Sequence, residues 1–144
     1  MSHQNAEIVD RAHKAWQRDD LDGWLSLIDP NVEWLTAVER EVGGVTSVYR
    51  GHEGMRELWK LWRTEVEDFW IETEEIRDLG DDRVLHLAQI QFRGPASGIM
   101  VKSELALVQT LRGGKIVRSM DYLSHQQALE TLSRSENDVL ADSS

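Results

Sequence analysis

Two ionisable side chains interrupt apolar, strand-like runs in which β-propensity asks for neither. Asp121 lies in Ile116-Val117-Arg118-Ser119-Met120-Asp121-Tyr122-Leu123, and His86 lies in Val84-Leu85-His86-Leu87-Ala88. Strand residues alternate faces, so Val117, Ser119, Asp121 and Leu123 should share one side of the last strand. Turned inward, Asp121 is a carboxylate in an apolar cavity, which is costly unless it has a partner or a task. Turned inward, His86 is a proton carrier poised near neutral pH, on an adjacent strand and paired to Asp121. Structural readings stand beside these. Asp121 could pair across the sheet with Arg118 or Lys102, and His86 could be a core histidine bonded to a carbonyl or a tyrosine. Glu104, in Lys102-Ser103-Glu104-Leu105-Ala106, is a third acid, either in the cavity or an exposed cross-strand charge.

Six tryptophans are a surplus for 144 residues. Trp16, Trp34, Trp59 and Trp62 are candidates for the wall of a pocket for a flat hydrophobic ligand, with Trp24 and Trp70 as packing residues. Tyr49 would offer a hydroxyl at the cavity mouth, and Ser119 a small polar contact beside Asp121. Tyr122 should face away. His52 and His125, at helix starts, and His13, one turn from Gln17, are expected at the surface. No two histidines stand at i, i+4, and no His-x-Glu lies in a helix, so neither metal nor cofactor is expected. No elbow serine is present, and no glycine-rich loop follows a strand to hold phosphate.

With 26 acidic against 16 basic residues and a net charge of −10, the chain lacks the basic face that nucleic acid or an anionic membrane needs. No run approaches the roughly 18 apolar residues of a membrane span. Without cysteine there is no disulfide and no thiol nucleophile. A cytoplasmic domain is the expectation.

The elements that must position these groups are legible in order. Apolar spacing predicts a helix over 5–18, a short one over 23–28 capped by Asp19-Asp20 and closed by Pro30, and a strand over 32–37. The segment 38–50 reads as a long mobile loop, and 52–67 as the main amphipathic helix. Four strands follow at 69–79, 83–93, 99–111 and 116–123, joined by Gly80-Asp81-Asp82, a wider turn at 94–98 and Arg112-Gly113-Gly114-Lys115, so neighbours should pair antiparallel. Ser124 and Gln127 form a capping box for a last helix to 132, and 133–144 is expected to be a disordered acidic tail. The domain thus spans 5–132.

The words Asp19-Asp20-Leu21-Asp22-Gly23, Asp29-Pro30-Asn31-Val32-Glu33-Trp34, Tyr49-Arg50-Gly51-His52-Glu53-Gly54 and Gly114-Lys115-Ile116-Val117-Arg118, in this order of elements, resemble the SnoaL-like branch of the NTF2-like superfamily. The resemblance implies an α+β, cystatin-like cone: a curved antiparallel sheet with three to four helices on its concave face, enclosing a pocket. It implies a small-molecule pocket protein with cofactor-free acid/base chemistry of cyclase, isomerase or hydrolase type on a hydrophobic cyclic or polyketide-like substrate. The alternative is a non-catalytic ligand-binding or scaffold protein of the same fold. Ketosteroid isomerases use a Tyr, an Asp base and a protonated Asp, and those positions fall here on Ala12, on Trp34 or Leu35, and on Ala106 or Leu107. The Arg and two Asp of the limonene-type epoxide hydrolases are not present as a set. Cyclases of the SnoaL type use an acid on a late strand, which the resemblance places at Asp121, with His86, Ala88, Ile90 and Phe92 lining the cavity from another strand. A homodimer through the convex face, where Met120 and Tyr122 would lie, is also expected.

Overall fold

Alternation and helical spacing resolve into six strands and four helices in a computed structural model, which describes residues 2–36, 47–64, 66–93 and 98–133. Helix α1 is Ser2–Gln17 and α2 is Leu21–Ser26, followed by β1 (Ile28–Thr36), β2 (Ser47–Arg50) and α3 (Gly51–Thr64). Strands β3 (Glu67–Asp78), β4 (Arg83–Arg93), β5 (Met100–Arg112) and β6 (Lys115–Tyr122) form the meander, and α4 covers 125–133. The sheet order is β2-β1-β6-β5-β4-β3. All pairs are antiparallel except β1 with β6, which run parallel because β6 returns beside β1. No described helix is long and apolar enough to cross a membrane.

Local chemistry sets the boundaries. The Asp20 carboxylate accepts from Gly23 N at 2.9 Å and starts α2, and Ser124 Oγ accepts from Gln127 N at 3.2 Å and starts α4. Pro30 does not end a helix; it lies in β1, in the stretch where the β1–β6 register is interrupted and no ladder donor is required. Part of the expected 38–50 loop is strand β2, pairing Tyr49 with Trp34. The rest of that loop, most of the 94–98 turn and the tail beyond 133 lie outside the described residues. Gly54 lets α3 start against β2, since a Cβ there would stand 3.0 Å from the Tyr49 carbonyl carbon.

Helices α1, α2 and α3 bury Val9, Ala12, Trp24, Met55 and Leu58 against the inner face of the sheet. The fourth helix goes to the other side. Ala128 and Leu132 of α4 pack on Leu85, Leu87, Ala106 and Tyr122, so β4 is covered on both faces and its sequence is nearly continuously apolar. Tyr122 faces away from the inner core, as expected, but α4 buries it, and the patch assigned to a homodimer through Met120 and Tyr122 is occupied by the chain's own helix.

His125 and Glu104 fasten this helix; His125 is largely covered rather than at the surface, and Glu104 takes the exposed of its two readings. Glu104 shares the outer face with Ala106. Its carboxylate accepts from His125 N at 3.0 Å, so it caps α4 and stands away from the cavity. His125 Nε2 donates to the carbonyls of Ala88 (2.9 Å) and Leu105 (3.2 Å). His52 is likewise structural, its Nε2 donating to the Ile28 carbonyl at 2.7 Å and tying α3 to β1. His125→Ala removes the bonds that seat α4 and should cost about 1 kcal/mol. The check is the urea midpoint, together with faster proteolysis at the carboxyl-terminal end; an unchanged midpoint would mean that the apolar contact alone holds the helix.

Candidate functional site

The inner face of the sheet and the facing helices enclose a cavity whose floor is set by strand register. Across the sheet His86, Leu107 and Asp121 form one row on β4, β5 and β6, all facing inward. Asp121 is 6% and His86 3% exposed. Their strands are not adjacent, however. Leu107 stands between them, and two strand spacings put their backbones about 10 Å apart. They share a cavity as neighbours across a leucine, not as the direct pair expected of adjacent strands.

The row on β6 also differs from simple alternation. Thr110 pairs with Arg118 but Leu111 pairs with Ile116, so Val117 is the extra residue of a bulge. The bulge reverses the parity, and Ile116, not Val117, lines the cavity below Ser119 and Asp121. Ser119 is fully buried and accepts from Gln109 Nε2 at 3.2 Å, behind the lining. Gln109 itself reaches the cavity. On β1, Leu35 pairs with Met120, which makes Thr36 the neighbour of Asp121. Thr36 lines the cavity, and its buried hydroxyl oxygen meets no partner among the described residues.

The aromatic wall is real but differently composed. Trp16, Trp34 and Trp62 line the cavity with Trp24, whereas Trp59 packs behind them. The Trp16, Trp24 and Trp59 rings meet at 5.1–5.2 Å between centroids, and Trp62 stands edge-on to Phe92 at 5.4 Å. The Arg63 guanidinium lies 3.4 Å from the Trp59 centroid and 4.5 Å from that of Trp16, while Nε bonds the Asp19 carboxylate. This clamp fixes Trp16 in the wall. Trp70 is half-exposed on β3, and Tyr49 packs against the core without lining the cavity.

His13, expected at the surface, lines the cavity instead. Val9, Ala12, His13 and Trp16 stand at i, i+3, i+4 and i+7, and all four line the cavity. That stripe was the available signal. Gln17 confirms the same orientation, donating from Nε2 to the Ile71 carbonyl at 3.2 Å. The His13 ring meets the His86 ring edge-on, 4.9 Å between centroids. His86 Nε2 in turn bonds Thr73 Oγ1 at 2.8 Å. Thr73 pairs with Ala88 and Glu75 with Leu87, so a bulge at Glu74 keeps both Thr73 and Ile76 available to the inner face.

Burial is the main cause that pushes the His86 pKa down, from 6.5 to about 3, with His13 adding to the shift and Asp10 partly opposing it. Burial also lowers the pKa of His13. His86 is therefore a neutral imidazole at physiological pH and does not take up a second proton there, contrary to the expectation of a carrier poised near neutrality. Among the described residues no group of three or more His, Asp or Glu is placed to hold a metal ion.

In size the site has two parts. The inner cavity leaves about 90 Å3 open to the centre of a water-sized sphere. By comparison, an apolar cavity of about 150 Å3 accepts a benzene ring. Beyond Trp16, Trp62, Phe69 and Ile71 lies an outer hollow of about 440 Å3, bordered also by Arg63 and Trp70. Trp16, Trp62, Phe69 and Ile71 line both hollows, and the inner one is smaller than a single ring requires, so a cyclic ligand enters it only as lining side chains give way.

A family model for the SnoaL-like domain matches residues 9–119. Among solved structures, TerC co-crystallised with polyporic acid is 23% identical over 88% of this chain and 96% of that one, with a TM-score of 0.71. An NTF2-like protein of unknown function from Burkholderia pseudomallei is 19% identical over 88% and 95%, with a TM-score of 0.73. A protein from Jannaschia sp. described as a SnoaL-like polyketide cyclase is 18% identical over 90% of each chain, with a TM-score of 0.70. At these identities the structures establish the shared fold. No curated protein matches the sequence significantly.

Proposed function

The chain belongs to the SnoaL-like domain family, and from that premise we propose that it binds a hydrophobic cyclic or polyketide-like molecule and performs acid/base chemistry on it with Asp121. The observation that carries this reading is a buried carboxylate facing a cavity walled by tryptophan. As carboxylate it takes a proton from a carbon acid, and as carboxylic acid it returns one, so no cofactor is needed for a cyclase- or isomerase-type step. Leu107, Trp34 and Ile116 keep bulk water from competing. His86 contributes as a neutral dipole in the cavity wall. TerC, a protein of the same fold, was co-crystallised with polyporic acid, which is in keeping with a small-molecule pocket. A homodimer is retained in the proposal, with its contact off the patch that α4 covers.

Non-catalytic binding is the second reading, favoured by the apolar residues Ala12, Trp34 or Leu35, and Ala106 or Leu107 at the positions of the isomerase machinery. Deuterium exchange into the carbon acid 2-tetralone in D2O, followed by proton NMR, separates the two. Exchange accelerated by the wild-type chain and not by Asp121→Asn supports catalysis; binding without acceleration supports the alternative.

A further inference from the structure

The cavity wall holds a second polar centre that the acid/base step leaves unused, formed by His13 on α1 and His86 on β4, with Thr73 on β3 bonded to His86 behind the lining. Thr73 occupies His86 Nε2. His13 Nε2 is buried and meets no hydrogen-bond partner among the described residues. An unsatisfied buried imidazole nitrogen is destabilising, and a water or a ligand group that hydrogen-bonds it relieves that cost. The described ring contact of His13 is the edge-on one with His86.

We propose that His13, backed by His86, is the binding site for an uncharged hydroxyl on the ligand, on the side of the cavity away from Asp121. The inference rests on the reading of the cavity as a ligand site and adds the ligand's second functional group. A hydroxyl suits the site because it both donates and accepts, and so satisfies either tautomer of a neutral imidazole. An anion finds no positive charge here, since burial keeps both rings neutral at physiological pH. Leu107 and the width of β5 separate this centre from Asp121. The ligand class that follows is a compact ring carrying a phenolic or alcoholic hydroxyl on one side and the reacting carbon on the other.

The test compares p-cresol with toluene, two single-ring probes that differ by one hydroxyl, using quenching of the cavity tryptophans. The wild-type chain should bind p-cresol about five- to tenfold more tightly than toluene, the range one net hydrogen bond supports. His13→Phe keeps the ring and its edge-on packing and should bring the ratio close to 1. In the wild-type chain, p-cresol but not toluene should shift the His13 Nε2 resonance in a long-range proton–nitrogen spectrum, a readout that does not depend on the variant folding. Binding of both probes with a ratio unaffected by His13→Phe, or an unshifted His13 nitrogen with p-cresol bound, overturns this inference alone. Binding of neither probe overturns the ligand-site reading, and this inference with it.

Discussion

Asp121→Asn should reduce the exchange of 2-tetralone protons for deuterium by at least about 100-fold relative to the wild-type chain, with little change in the urea midpoint. The magnitude follows from what a positioned base contributes, about 10²- to 10⁴-fold, and asparagine removes all of it because an amide neither takes nor returns a proton at neutral pH. The substitution preserves shape, so the tryptophan wall and the Leu107 neighbour are retained. Tryptophan quenching by 2-tetralone should therefore change by less than a factor of a few, and the loss should fall on the rate. The split matters, since a purely structural Asp121 would instead lower the folding midpoint and weaken binding and exchange together. If Asp121→Asn exchanges at the wild-type rate, Asp121 is not the base. Asp121→Glu is the complementary variant: it keeps the chemistry but advances the carboxylate by a methylene, and a misplacement of about 1 Å can cost on the order of 100-fold.

What the sequence made legible was whatever period and capping dictate. The meander strands, their two tight turns and the main helix follow from alternation, from Gly80, Gly113 and Gly114, and from the apolar spacing of Met55, Leu58, Trp59 and Trp62, and the structure agrees to within a few residues. Asp121 and His86 were found because alternation turned both inward, and it did so correctly. Their relation was not legible, because sheet order is a long-range property: nothing local says that β6 lies between β1 and β5, or that β5 separates the two groups. Val117 and Thr73 mark the limits of alternation itself, since each adjoins or forms a bulge that adds one residue and reverses the parity beyond it. Glu104 was open to two readings until α4 showed which face needed a cap. His13 was different. Its stripe with Val9, Ala12 and Trp16 was present, but a histidine in it was read as polar and therefore exposed, when burial had instead made it neutral.

That neutrality gives the second large effect: the chain should lose stability as the pH falls from 6.5 towards 3, and the loss down to pH 5 comes before most carboxylates begin to protonate. In the unfolded chain His86 has its ordinary pKa of 6.5, and in the folded chain about 3. Above pH 6.5 both states are unprotonated and the folded state has its full stability. Below it the unfolded chain binds a proton that the folded chain refuses, so stability falls by about 1.4 kcal/mol per pH unit. At pH 5 the loss is about 2 kcal/mol, a large fraction of the roughly 5–15 kcal/mol that holds a domain together. His13, lowered for the same reason, acts in the same direction. Asp20, held low chiefly by the Gly23 amide, and Glu75 and Asp81, held low chiefly by Arg77 and Arg83, lose their contributions only at more acid pH. Urea unfolding at pH 7.5 and 5.0 should show the difference, and His86→Gln should flatten it by most of that amount. In the wild-type chain the His86 imidazole resonance should stay unshifted from pH 8 to 4.5; titration near pH 6 would refute the assignment. A flat titration has a functional consequence as well. A ring with so low a pKa is a weak base at neutral pH, so in the proposed acid/base reading the proton transfer falls to Asp121 rather than to His86.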